Sequence, residues 1–521
     1  MKKWHLFLLL FQQFIFGQGA IEWGEIQPSK GKTYSILALN KEDFISVNFK
    51  KTFVFSSDRI RYYSQLTPIS EGKILTSIGN QRAKIVHIDV LNETPVVFLS
   101  YYSQGKNILF LQKYSKMCVP LGPAVELLSY TLPKTWGNKG DFKVLFSENK
   151  DFFCAEYNLP GQTNTNEHLG YKIFKKDLTP VLNGNYTVPY SKEIAFIDKR
   201  LLTDKGDYFI TTKIFSENTN RSFFFGDQSN LDRIICHQIV NDSTYPFILP
   251  LSDQRIFDLK IDTDNSNLLT ISALTGNKDK NDNGIKGVYH ATIEIQTKKI
   301  ISQGKSEFDI SFITQDWTER AKKRALERAE KGKGAPELFD YELREMYPLK
   351  DGSIIGVLEQ FFVQNLTYSD PRTGMIYTRY VYNYDDLITF KIAPDNTFKW
   401  VKKIPKNQTS VNDYGYYSSI STIKGDSTLQ LFFNDDASNY SETGDWEEGK
   451  QREINYSKRS NVLAKLNIDL ENGSSTRKSI LNGKKEKSIA VPKLFFNNKI
   501  NSNLILYLNY GSKEKFGFLR Y

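Results

Sequence analysis

Short extended runs, each closed by a turn-forming residue, succeed one another along most of the chain. Lys51 to Phe55 (KTFVF), Val96 to Tyr102 (VVFLSYY), Asn107 to Leu111 (NILFL), Leu268 to Leu274 (LLTISAL) and Leu504 to Tyr510 (LILYLNY) are bounded by Gly, Asn, Asp, Ser or Pro. Their β-branched and aromatic side chains suit the half-buried surface of a pleated sheet, so the pattern predicts strand, turn and strand almost throughout. A longer regularity lies on top of it. Tyr62 to Ile69 (YYSQLTPI), Tyr114 to Leu121 (YSKMCVPL), Phe174 to Val181 (FKKDLTPV), Lys391 to Trp400 (KIAPDNTFKW) and Leu466 to Ser475 (LNIDLENGSS) repeat one phrase, a strand, a tight polar turn and a further apolar residue. Fainter copies span Cys236 to Thr244 and Ile293 to Ile301.

A period drifting between roughly 50 and 75 residues is what four-stranded blades with variable loops produce. The expected fold is therefore all-β, a β-propeller of about seven blades, with six or eight as variants and the strands near Leu504 to Tyr521 pairing beside an N-terminal strand to close the circle. Stacking small sheets round a ring also hides the strand edges that a set of separate hairpins would expose. The alternative is two β-sandwich domains, which short strands at this spacing suit equally well. No Ser-, Gly- or Pro-rich linker divides the chain, which favours one domain over 20–521.

One stretch has the helical period instead. Asp316-Trp317-Thr318-Glu319 resembles a capping box with Asp316 as the N-cap, and the run to Lys331 is stopped by Gly332, Gly334 and Pro336. Asp316 with Arg320, Glu319 with Lys323 and Glu327 with Lys331 are acid-first pairs four residues apart, the stabilising order. The apolar stripe of Ala321, Ala325, Leu326 and Ala329 is too thin for burial, so residues 316–336 are expected as a solvated helical insert on the rim. Its seven basic and four acidic side chains also suit docking to an anionic partner.

Composition narrows the class. The 521 residues carry a net charge of +10, with 40% hydrophobic and 14% aromatic residues, and the mean hydropathy is −0.44. Those values exclude a polytopic helical membrane protein and a mainly disordered chain. Lys2 and Lys3, the apolar run Trp4 to Phe16 and the small residues Gly17, Gly19 and Ala20 have the layout of a cleaved signal peptide over 1–19. The run is shorter than the ~20 residues a spanning helix needs. Export to the periplasm, the outer membrane surface or the exterior is the expected destination. Cys118, Cys154 and Cys236 are too few and too widely spaced for a disulfide framework or a zinc knuckle, and read as small buried hydrophobes.

Few motifs carry chemistry. Asp279 to Gly284 (DKNDNG) matches the first half of a calcium loop, but His290 stands where a bidentate Glu belongs, and a polar hairpin turn explains the same residues. His87, His168, His237 and His290 are scattered singly, without metal-ligand spacing, so no metal and no cofactor is expected. Nucleophile elbow, P-loop and dinucleotide fingerprint are missing from the sequence. Carboxylates cluster at Asp385-Asp386, Asp435-Asp436 and Asp445 to Glu448; two well-placed ones suffice for a glycosidase, whereas acidic loop tips are ordinarily just solvated. No catalytic residue is named by such patterns. Diffuse positive charge on an exported chain argues against nucleic acid as a partner.

Leu343 to Phe362 (LREMYPLKDGSIIGVLEQFF), the charged insert before it, Trp400 to Gln408 (WVKKIPKNQ) and Tyr414 to Ser419 (YGYYSS) together resemble an uncharacterised family of exported β-propeller proteins of Gram-negative bacteria. The resemblance covers about the C-terminal third and implies the architecture, with no catalytic residues to carry over. The expected function is a non-enzymatic propeller that binds a protein or glycan at the cell envelope through loops on one face. The alternative is a carbohydrate-active or other hydrolytic propeller using carboxylates round its central channel. An outer-membrane barrel is a third reading, which the charged, Asn-rich strands fit poorly.

Overall fold

Successive extended runs pair with their immediate neighbours in antiparallel hairpins, as short connections between alternating strands dictate. In the computed structural model, residues 21–521 are described except 52–55, 133–139, 160–165, 217–230, 241–242, 252, 264–266, 279–283, 450, 455, 457–459 and 499–501. The first sheet joins Lys32–Ala38, Asp43–Lys51, Ser56–Ser64 and Thr67–Lys73 in sequence order. Blades 2 to 7 follow the same order over 84–131, 141–191, 195–249, 254–307, 341–404 and 420–482. The first strand of each blade is the innermost.

An eighth sheet breaks the order and closes the ring. Asn503–Asn509 and Lys513–Arg520 pair with each other, and Ile21–Trp23 from the other end of the chain adds the outermost strand, with Ile21 opposite Leu519 and Trp23 opposite Gly517. A Cβ at Gly517 would lie 2.5 Å from the Trp23 ring, so the indole packs where only a hydrogen fits.

The propeller therefore has eight blades instead of about seven. The reason lies in the repeat. All seven copies of the sequence phrase, the two faint ones included, fall on the hairpin between the third and fourth strands of blades 1 to 7. Blade 8 has no such hairpin, because its fourth strand comes from the N-terminus. A phrase that marks this hairpin undercounts the ring by one.

Side chains alternate along each strand, so both faces of every blade bury apolar residues against the next blade. Among the described residues this makes eight apolar clusters, each shared by two consecutive blades, including blade 8 with blade 1. Two sandwiches would instead divide the core into two. At the closing seam Phe44 stacks on Tyr63 at 4.6 Å beside Phe516, and the Arg61 guanidinium lies 2.9 Å from the Glu514 carboxylate. Each fully buried aromatic ring there contributes about 1.5–3 kcal/mol by removal from water.

Between blades 5 and 6 the chain leaves the ring. Phe308, Ile313 and Leu338 anchor the excursion in the seam, and between them the helix Glu319–Glu330 stands with none of its residues buried. Its N-cap is Thr318, whose hydroxyl accepts from the Ala321 N–H, and not Asp316. The Asp316 carboxylate turns instead to the Lys403 ammonium at 2.7 Å, tying the insert to blade 6. Along the helix the ion pair formed is Glu319 with Lys322, one residue closer than the i,i+4 partner expected. No helix among the described residues is long and apolar enough to cross a membrane.

Candidate functional site

The innermost strands and the turns that follow them bring charged side chains to the central channel. Lys150 pairs with Asp89 across blades 3 and 2, Lys199 lies 3.3 Å from Asp258 across blades 4 and 5, and Lys260 lies 3.0 Å from Glu345 across blades 5 and 6. The Arg200 guanidinium meets the buried Glu156 carboxylate at 2.5 Å, and the Tyr208 hydroxyl donates to the same carboxylate. Where these strands end, one mouth of the channel forms a cavity of about 730 Å³ lined by Glu148, Asp262, Glu345, Tyr347, Lys424 and Asp426. Of the carboxylates that a hydrolytic reading would recruit, Asp89, Glu156, Asp258 and Glu345 are thus held as ion pairs between neighbouring blades.

A larger cavity, about 1180 Å³, opens on the opposite face over blades 6 to 8. The connection from blade 6 to blade 7, the long second-to-third-strand loop of blade 7 and the turn after Asn509 wall it in. Asp413, Tyr417, Asp436, Arg452, Glu453 and Lys484 line it, with the Asn482 and Asn509 amides and the hydroxyls of Thr409, Ser410, Ser438 and Ser460. Its walls are fixed by their own hydrogen bonds. Asp413 accepts the Gly415 N–H at 2.8 Å, Asp436 accepts from the Ser438 N–H at 2.9 Å, and the Tyr456 hydroxyl donates to the Tyr417 carbonyl at 3.2 Å. Tyr416 reaches across to blade 1, where its hydroxyl donates to the Thr33 carbonyl at 2.7 Å.

Beneath this cavity lies a charged floor. Glu359 and Lys406 are both fully buried and 3.0 Å apart. The Glu359 carboxylate also accepts from Arg344 at 2.7 Å and from the Ser419 hydroxyl at 2.6 Å. Burial opposes its charge, but Lys406 and Arg344 outweigh that and hold its carboxyl below the usual range. Lys406 donates to the Tyr384 carbonyl at 2.5 Å and to Gln408, which fixes the strand Gln408–Val411 that floors the cavity. Burial brings the Lys493 ammonium down to about 8, with its Nζ 4.1 Å from the Tyr384 ring centre.

The acidic pairs read from sequence part company here. Asp435 is consumed by Arg477, Asn439 and Tyr440, and Asp445 lies 3.1 Å from Lys478 on the surface. Asp385 and Asp386 sit at a bulge where the register of blade 6 shifts between Glu359 and Phe361. Asp386 accepts the Lys406 N–H at 3.1 Å. Burial raises Asp385 to about 6, and its Oδ1 is buried without a hydrogen-bond partner. His87, His168, His237 and His290 lie on strands of blades 2, 3, 4 and 5: His87 beside Asp89, His168 beside Thr187, His237 against Tyr186, and His290 buried in blade 5. The three cysteines are buried thiols in three different seams, as small hydrophobes would be. Among the described residues no three His, Cys, Asp or Glu side chains group as metal ligands do. Asp279 to Asn283 of the calcium-like loop and the signal-like 1–20 lie outside the described residues, as does most of Lys51 to Phe55.

Spacing in the sequence did not reveal the Glu359, Lys406 and Ser419 set, because the three residues come from three separate elements. The segments quoted for the family resemblance contain all three, the one signal that pointed there.

No protein-family model and no curated protein matches the chain. Among solved structures it is similar to the Dos1 propeller, at 8% identity and a TM-score of 0.43 over 96% of this chain and 95% of that one. Prolyl oligopeptidase B from Galerina marginata is similar at 8% identity and a TM-score of 0.37, covering 94% of this chain and 56% of the enzyme. An ulvan lyase of polysaccharide lyase family 25 is similar at 9% identity and a TM-score of 0.31, covering 80% and 90%.

Proposed function

We propose that this protein is an exported, non-enzymatic propeller that binds a glycan of the cell envelope in the cavity over blades 6 to 8. The single observation that carries the reading is the lining of that cavity, where carboxylates, amides and hydroxyls converge beside Tyr417 and Tyr456 on a floor locked by buried ion pairs. Convergent donors and acceptors beside aromatic rings match the alternating hydroxyls and apolar faces of a sugar, and a rigid floor lowers the ordering cost of binding. The N-terminal pattern from Lys2 to Ala20 supports export. A glycan array followed by calorimetry tests it. Asp413→Ala and Asn482→Ala are expected to weaken binding at least tenfold while keeping one cooperative melting transition, each losing only a local turn or cap hydrogen bond worth about 1 kcal/mol. Unchanged affinity in both variants would remove the cavity as the site.

One observation favours a second, hydrolytic reading. Burial raises Asp385 to about 6, and with an unpartnered oxygen its proton affinity lies nearer neutrality than that of an ordinary aspartate, the direction a general acid requires. Release of new reducing ends from a bound glycan, lost in Asp385→Asn, would establish it, whereas binding without turnover supports the first reading.

A further inference from the structure

Blade 6 carries an arm. Its second and third strands, Ile354–Ser369 and Ile376–Ile392, run on past the blade as a two-stranded ribbon paired from Phe361 with Tyr384 to Ser369 with Ile376. The two edges of this ribbon are treated differently. On the Ile376–Ile392 side, Gln408–Val411 pairs with residues 381–384, and Asn412 then binds both the N–H and the carbonyl of Tyr380. On the other side the neighbouring strand Tyr341–Pro348 stops at Gln360, and beyond the bond from Phe361 to Asp340 nothing among the described residues pairs with Phe362 to Ser369. Natural edges of this length carry Lys, Pro or a further bulge that blocks pairing with another chain. This one reads FFVQNLTYS, with no charge and no proline. Leu366, Tyr368, Met375 and Ile376 are exposed on the same ribbon.

We propose that this edge pairs with the same edge of a second copy of the chain, across a two-fold axis at Asn365. The Phe361 N–H donates outward to the Asp340 carbonyl at 2.7 Å, and the register with the partner strand is unbroken from there to Ser369. Strand alternation therefore turns the backbone groups of Val363, Asn365, Thr367 and Ser369 outward as well. A two-fold at Asn365 makes Asn365 a hydrogen-bonded pair with its own copy. Val363 then bonds opposite Thr367, and the ladder ends there because the Phe361 N–H is already bonded to Asp340.

The side chains match under that symmetry: Phe362 faces Tyr368, an aromatic pair, and Val363 faces Thr367, a β-branched pair, both favoured across strands. The absence of charge means that self-pairing sets no like charges opposite one another. The slot, bounded by the start of the Tyr341–Pro348 strand and the turn at Asp370, is as long as the strand that fills it. At each end Arg372 in the turn of one copy comes beside Asp340 of the other, an opposite-charge match. A ladder of this length is at the small end of specific interfaces, so the dimer is reversible.

Sedimentation velocity of the full chain tests it. The wild type is expected to pass from one copy to two as concentration rises. Asn365→Lys and Asn365→Asp are each expected to stay monomeric with unchanged melting curves, because each places like charges on the axis. An equimolar mixture of the two is expected to re-form a one-to-one dimer. A wild type monomeric at every concentration, or a lysine variant that dimerises as well as the wild type, or a mixture that fails to associate, would each overturn the proposal.

Discussion

The seam between blades 3 and 4 and the seam between blades 6 and 7 solve the same packing problem with different materials. The first is built from Cys154, Leu169, Tyr171, Ile173, Ile210 and Ile235, with His237 held uncharged against the Tyr186 hydroxyl at 3.1 Å and a single buried ion pair, Glu156 with Arg200, crossing it near the channel. The second has its own apolar cluster, yet beside it a glutamate and a lysine are buried without contact with water. Dispersion and hydrophobic contact have little direction and tolerate sliding, whereas buried ion pairs are satisfied in one arrangement only; the first seam has one such pair, and the second a network in which Glu359 meets Lys406, Arg344 and Ser419. The larger charged network lies where three connections must be held in register to make a cavity, and the single pair where two blades stack. Rigidity is concentrated where binding is proposed.

The largest break in this comparison comes from Glu359→Ala. It leaves Lys406 and Arg344 without their shared carboxylate, and is expected to cost about 3–5 kcal/mol in urea unfolding. The double variant Glu359→Leu with Lys406→Met removes both charges and is expected to recover most of that. Recovery absent, the pair would not be what organises the floor.

Acid sharpens the comparison from the other side. Burial lowers His237 to about 4 from an ordinary value of 6.5. The unfolded chain takes up a proton below about 6.5 that the folded one refuses until about 4, so stability falls as pH drops through that window. The loss is about 3 kcal/mol at 1.36 kcal/mol per unit. His237→Asn is expected to flatten that part of the stability curve relative to wild type, measured by denaturant midpoints at pH 7, 5.5 and 4. An unchanged slope would place the acid sensitivity elsewhere.

The smallest effect concerns the insert, which belongs to neither seam. Replacing residues 316–334, which include the helix Glu319–Glu330, by a short Gly-Ser linker removes no buried side chain. It is expected to change stability by less than about 0.5 kcal/mol, as exposed ion pairs are worth little. A collapse of the melting transition would show that the link from Asp316 to Lys403 carries more than a surface contact does.

Much of the fold was legible because its signal is local. Strand alternation, turn residues and the recurring hairpin phrase are properties of a few neighbouring side chains, and each copy of the phrase lies on the corresponding hairpin of its blade. The N-cap was misplaced by two residues because Asp316 has a competing partner in Lys403, far along the chain. The blade number was one short because the last blade borrows a strand from the other end. Of the candidate site, Asp385 and Asp386 stood out by their charge, but Glu359 and Lys406 looked like any exposed acid and base.

Taken alone, the order of residues determined that the chain is all-β, that its strands join in four-stranded units, that one charged helix interrupts them, and that the cysteines are isolated hydrophobes. Those outcomes follow from side-chain shape and periodicity over a few residues. Tertiary structure alone decided that there are eight units, that Asp258 and Glu345 in the channel pair with lysines of adjacent blades, and that Glu359, Lys406 and Ser419 meet beneath a cavity. The physical reason is range: an ion pair's worth depends on burial and on what stands opposite, and both are set by residues that closing the ring brings together from distant parts of the chain.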